Sequence, residues 1–348
     1  MRWMLAILLF AARLCLAQTA PPAAAVSSAA PAARPSAIDA ARDDLAHGKP
    51  TEAIALLEKI RVAGPEQKGV AHELGLAYYR TGKLLQARDA FAQAIQADPS
   101  DVESVQMEGL SLYRMGQPAA AIPYLKRVTH WTPNANADAN HVLGLCYLNS
   151  QHFDEARQAF AEEYELKPDS GAAYLLLARM LVQVNLPEQG AAAAERALAL
   201  SPGLPLAHFL VGEEALFKSD VARATTEFEA ERALNPEYAP VYERLADVDT
   251  RTGKYDQAEE LLLKSIALDN SRTGPFLLMG KVLLRRDDPE TAAMYLQHAE
   301  KMDPSNFILH TLLGQTYRGL GHEEQARTEF DAAAKIHAAG ELKLQNVQ

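Results

Sequence analysis

A small residue recurs along this chain at Gly75, Gly109, Gly144, Ala178, Gly212, Ala246, Gly280 and Gly314, every 34 residues apart from one interval of 35. Two further series keep the same period: Pro99, Pro133, Pro168, Pro202, Pro236, Asn270, Pro304, and Ala87, Ala121, Ala156, Gly190, Ala224, Ala258, Ala292, Ala326. All three share one insertion near residue 135. A period of this length restricts a chain to a repeat architecture, in which each unit is one supersecondary element stacked on its neighbours. The 348 residues therefore do not divide into two ordinary globular domains.

The residues between the markers say what the unit is. Leu74, Leu76, Ala77 and Tyr78, then Ala87, Ala90, Phe91, Ala94 and Ile95, have helical spacing. Gly82, Gly116 and Gly253 break the pattern where a tight turn is needed. The proline series falls at the end of each second helix, which proline cannot continue. Gly75 and Ala87 are small where two helices of a unit must cross, and Phe91 fills the space between them. Each unit is an antiparallel helix pair that cannot bury both faces alone.

Leu74-Gly75-x-x-Tyr78, Ala87-x-x-x-Phe91 and Pro99 together resemble the tetratricopeptide repeat. The same pattern returns at Leu143-Gly144-x-x-Tyr147, Ala156-x-x-x-Phe160 and Pro168, and at Leu313-Gly314-x-x-Tyr317 with Ala326-x-x-x-Phe330. The resemblance covers residues 34–340 and implies an all-α, right-handed α-solenoid of about nine units. The first unit is degenerate: Ala41 holds the small position, Asp44 replaces the aromatic and Gly64-Pro65 ends it, as suits a cap facing water. In the unit at 171–204, Gly190 and Ala194 replace the alanine and the aromatic, so its second helix is expected to pack thinly. The unit at 239–272 has Asp249 at the aromatic position and Asn270 in place of proline.

Arg2 and the apolar run Trp3–Ala12 form the first parts of an export signal, and Cys15-x-Ala17 supplies a small-residue site for cleavage before Gln18. The expected organisation is a signal at 1–17, an Ala/Pro/Ser tether at 18–35, the solenoid at 36–340 and a polar tail at 341–348. The tail either extends the last helix or frays. The alternative of a retained membrane anchor requires a longer run than these residues provide. Cleavage removes Arg2, Arg13 and Cys15, lowering the formal charge from −11 to −13 and leaving Cys146 alone. This acidic balance, 34 Lys+Arg against 45 Asp+Glu, lacks the basic stripe of a nucleic-acid binder. An exported, periplasmic or secreted location is expected, and the lack of an Asn-x-Ser/Thr sequon suits a bacterial envelope.

No catalytic constellation is legible. Gly82-Lys83, Gly253-Lys254 and Gly280-Lys281 lack the following Ser or Thr of a phosphate loop. His72-Glu73 lacks the second histidine of a zinc helix, and Cys146 falls on an apolar helix face. No Gly-x-Ser-x-Gly elbow or Cys/His pairing occurs. The chain is read as non-catalytic, with no metal and no cofactor.

In the resembling family the first helix of each unit lines a concave groove where partner segments dock. Carried over by register, the groove positions lie three residues before the small residue, one after it and four after it. They are His72, Leu76 and Tyr79; Gln106, Leu110 and Tyr113; His141, Leu145 and Leu148; Leu175, Arg179 and Val182; Phe209, Glu213 and Leu216; Glu243, Asp247 and Thr250; Leu277, Lys281 and Leu284; and Thr311, Gln315 and Arg318. No unit carries the Lys and Asn pair of the family's clamp for C-terminal carboxylates. The first units offer a row of apolar groups suited to a peptide, unless these side chains pack against the neighbouring unit. Glu213, Glu243 and Asp247 turn the groove acidic, so a basic-apolar ligand is expected. The reading is a protein-interaction scaffold that contacts the membrane only during export. Its rivals are a regulatory or targeting subunit of an envelope enzyme complex, such as polysaccharide or glycosyl-transfer machinery, and a self-associating structural component.

Overall fold

The computed structural model describes residues 36–64, 69–131 and 137–345. The expected signal, the tether and the insertion near residue 135 lie outside the described residues. Eighteen helices follow one another: α1 (Ala37–Ala46), α2 (Pro50–Ala63), α3 (Val70–Arg80), α4 (Leu84–Ala97), α5 (Val102–Arg114), α6 (Pro118–Trp131), α7 (Ala137–Asn149), α8 (Phe153–Glu163), α9 (Gly171–Gln183), α10 (Pro187–Leu200), α11 (Ala207–Phe217), α12 (Val221–Leu234), α13 (Ala239–Arg251), α14 (Tyr255–Leu268), α15 (Thr273–Arg285), α16 (Pro289–Met302), α17 (Phe307–Gly319) and α18 (Glu323–Gln345). Among the described residues every regular element is helical, as expected of the solenoid. Helix α18 runs on through the expected boundary at residue 340, so residues 341–345 extend the last helix.

Odd-numbered and even-numbered helices form two layers. Each even helix packs on its own odd partner and on the first helix of the next unit, and successive odd helices also touch across units, as α3 with α5 and α13 with α15 do. No such contact joins successive even helices among the described residues. The odd helices thus lie on the tighter curve and form the concave layer.

The small-residue period has a steric cause. A Cβ added at Gly144 would stand 2.5 Å from Phe160, at Gly212 2.6 Å from Phe228, and at Gly314 2.6 Å from Phe330. Glycine also faces Phe91, Leu125 and Leu296 in the units of Gly75, Gly109 and Gly280. Where alanine holds the small position, the residue at the equivalent site is Leu57, Ala194 or Leu262. No Phe in this series faces an alanine. The unit at 171–204 does not pack thinly: a Cβ on Gly190 would lie 3.0 Å from the Ala178 carbonyl oxygen, and Ala194 and Ala197 are fully buried. With both partners small, α10 closes onto α9 instead of leaving a gap.

Each unit turns through one left-handed residue. Gly48, Gly82, Gly116, Gly253 and Gly321 adopt φ between 72° and 77°, and Gln151, Asn185, Ser219 and Asp287 occupy the equivalent places at φ 61–63°. The turn is therefore imposed by packing as much as by glycine. The helix ends also correct the proline account. Extended Asp98 and Asp269 stop α4 and α14 alike, although Asn270 follows Asp269 where a proline follows Asp98. In both, the Asp Oδ1 accepts the backbone N–H two residues on, from Ser100 or Ser271, at 3.0 Å.

Candidate functional site

The concave layer contains a sequence of half-buried apolar side chains. Leu76 packs beside the α1–α4 core, Leu110 and Tyr113 beside Leu112 and Leu143, and Leu145 beside Leu177 and Leu181. These residues do both jobs left open by the sequence: one side joins a core cluster and the other stays accessible. Tyr79 is half-buried under the guanidinium of Arg114, 4.6 Å from its ring centroid. Gln106 and Leu175 are half-buried, while Arg179 and Val182 are exposed. Phe217, beside the expected position Leu216, is 79% exposed.

Several expected groove residues are not available. Leu148 is fully buried in the core shared by α7, α9 and α10, and Leu216 and Thr250 are also buried. Phe209 is half-buried between Phe228 and the edge of Tyr238, with ring centroids 5.7 and 5.2 Å away. His141 lies 5.7 Å from the Phe160 ring, and its Nδ1 meets Glu163 at 3.1 Å. His72 Nδ1 meets Asp101 and Ser104 at 2.9 Å each, beside a cavity of about 500 Å³ also lined by Arg42 and Arg61. Apart from Thr250, whose hydroxyl donates to the Ala246 carbonyl within α13, each of these side chains links two elements, which the register alone does not reveal.

The acidic stretch is corrected as well. Arg244 Nε lies 2.5 Å from Glu213, Arg272 meets the buried Glu243 at 2.7 Å, and Arg251 meets Asp247 at 2.9 Å. Burial is the main influence on Glu213 and raises its pKa, although Arg244 pulls the other way. Three groove carboxylates thus already have cations, one supplied by the next unit, one by the residue that caps α15 and one from within α13. A basic ligand would have to displace an arginine from each.

Catalytic candidates fare poorly. Cys146 is fully buried, and burial pushes its thiol up to about 12, so it is not a ready thiolate. Gly82 and Gly253 sit in the left-handed turns, and Gly280 lies inside α15 against Leu296. Glu300, His310 and Glu329 come close enough to face one ion. His310 already uses both ring nitrogens, Nδ1 to Glu329 at 2.6 Å and Nε2 to the Pro304 carbonyl at 3.0 Å. Burial lowers its pKa, but those two acceptors prevail and raise it, as a ring donating from both nitrogens requires. His208 and Glu227 form the same pair at 2.7 Å three units earlier. The pairing is a clasp between the two helices of a unit.

Models of the tetratricopeptide repeat match residues 38–102, 141–205 and 277–341, with further matches at 112–162 and 239–272. The chain belongs to the tetratricopeptide repeat family. Among curated relatives of this tetratricopeptide array, anaphase-promoting complex subunit 3 of Schizosaccharomyces pombe is 19% identical over 83% of this chain and 43% of that protein. The CTR9 homolog of Arabidopsis thaliana is 22% identical over 73% of this chain and 24% of that protein. The tetratricopeptide chain therefore spans less than half the length of these relatives. Among solved structures, YrrB, described as a TPR protein with an unusual peptide-binding site, is 22% identical, with a TM-score of 0.43 over 56% of this chain and 98% of that one.

Sequence register missed the positions of Arg114, Phe217, Arg244 and Arg272. Arg114 and Phe217 fall five residues after the small position, one beyond the register used. Arg244 becomes visible only when adjacent units are stacked, and Arg272 only when the start of α15 is folded back on α13.

Proposed function

We propose that this tetratricopeptide chain is an exported, non-catalytic interaction scaffold that holds a peptide or protein segment along its concave layer. Tetratricopeptide proteins are generally protein-interaction scaffolds. The observation that carries the reading is the row Leu76, Tyr79, Leu110, Tyr113, Leu145 and Leu175, half-accessible on successive first helices and continued by the exposed Val182. Apolar groups spaced along a groove suit an extended or helical segment with its own apolar anchors. Export rests on Arg2, the apolar run Trp3–Ala12 and the small residues before Gln18. Among the described residues no helix is long and apolar enough to cross a membrane.

A photocrosslinking residue at Val182, on the concave layer, should capture a recurrent partner in the native cell envelope. The same residue at Ala222, exposed on α12 in the outer layer, should not. Capture from Ala222 alone would overturn the groove. Protein from the envelope should begin at Gln18 by intact mass, and full-length chain in the cytosol would refute export.

A further inference from the structure

We infer that the concave face selects a segment of a separate protein in which acidic side chains alternate with apolar ones. This rests on the groove reading above and names its ligand class. The three carboxylates at groove positions, Glu213, Glu243 and Asp247, are each held by an arginine. The cations are differently placed. Among the described residues Arg179 and Lys281, both one residue past the small position, have no carboxylate partner. Arg114 lies over Tyr79 and Arg318 over Phe330, so both cations meet rings rather than carboxylates. Arg179 lies within the apolar stretch, exposed between Leu175 and Val182 on α9. The groove's unmet charge is thus positive on a chain whose formal charge is −11. At physiological ionic strength the screening length is about 8 Å, so carboxylates on remote faces count for little against cations that a ligand touches.

The test pans a display library of random dodecapeptides against the full chain. Enriched peptides should carry Asp or Glu among Leu, Phe or Ile, and their affinity should fall with added salt. Arg179→Glu with Lys281→Glu should weaken such a peptide about tenfold, the scale of a few exposed ion pairs. An analogue with Gln in place of its acids should be unaffected. Circular dichroism establishes that the variant is folded, and Arg179→Gln with Lys281→Gln serves if it is not. Enriched peptides that are basic, or neutral and insensitive to these substitutions, would overturn the inference and leave the groove reading standing. Failure to enrich any peptide would overturn both.

Discussion

At the scale of the residue, Glu108 is the side chain least suited to its place. It directly precedes Gly109, where the other full units have Leu74, Leu143, Leu177, Val211, Leu245, Met279 and Leu313. It is 3% exposed, and its Oε2 is buried without a hydrogen-bond partner. Burial is the main influence and pushes its carboxyl up to about 7, only partly offset by Arg88. The folded chain therefore holds this proton more tightly than the unfolded chain. The stability it confers is full below about pH 4.5 and is lost as pH rises towards 7. Glu108→Leu should remove that component of the pH slope. At pH 8 it should stabilise the α5–α6 unit by about 3 kcal/mol, because the buried carboxyl must by then give up its proton. Urea unfolding of both proteins from pH 4 to 8 checks it, and parallel slopes would refute it.

Between elements, the contact that repeats is a glycine on the first helix receiving a large side chain from the second. Gly212 and Phe228 show it: Phe228 is fully buried, and a Cβ at 212 would stand 2.6 Å from its ring. Gly212→Ala should cost about 1–3 kcal/mol through overpacking, although alanine is the better helix former. Adding Phe228→Leu should recover much of this loss, because Ala246 with Leu262 already packs that way. A double-mutant cycle measured by thermal unfolding would show strong favourable coupling between the two sites. Additive effects would mean that the register is wrong. Hydrogen exchange should locate the damage in α11 and α12 and their neighbours, since a repeat array transmits strain mainly to adjacent units.

Across the whole molecule, the last described unit differs from the one before it in the polarity of its stacking positions. Leu277, Leu284 and Tyr295 pack towards the last unit, and the equivalent positions in that unit are Thr311, Arg318 and Glu329. This polar face disfavours end-to-end growth at the C-terminal end, the simplest route to the self-associating rival. Thr311→Leu with Arg318→Leu should restore an apolar stacking face and produce concentration-dependent association in sedimentation velocity. A variant that stays monomeric at high concentration would show that charge and side-chain size do not end the array.

The period of 34 residues and the helical spacing within it were enough to specify helix pairs and their number, and the family resemblance implied which helices line the concave layer. Those features depend on local backbone preference and on a volume rule repeated in every unit, so they are written in order along the chain. What the groove presents was not. Leu148 is core and Leu175 is half-accessible although both lie at groove registers, and the charge of Glu243 is paired by Arg272, 29 positions away. Accessibility and charge pairing arise between units, from side chains brought together by stacking. Only the tertiary structure therefore decided which groove charges remain for a partner.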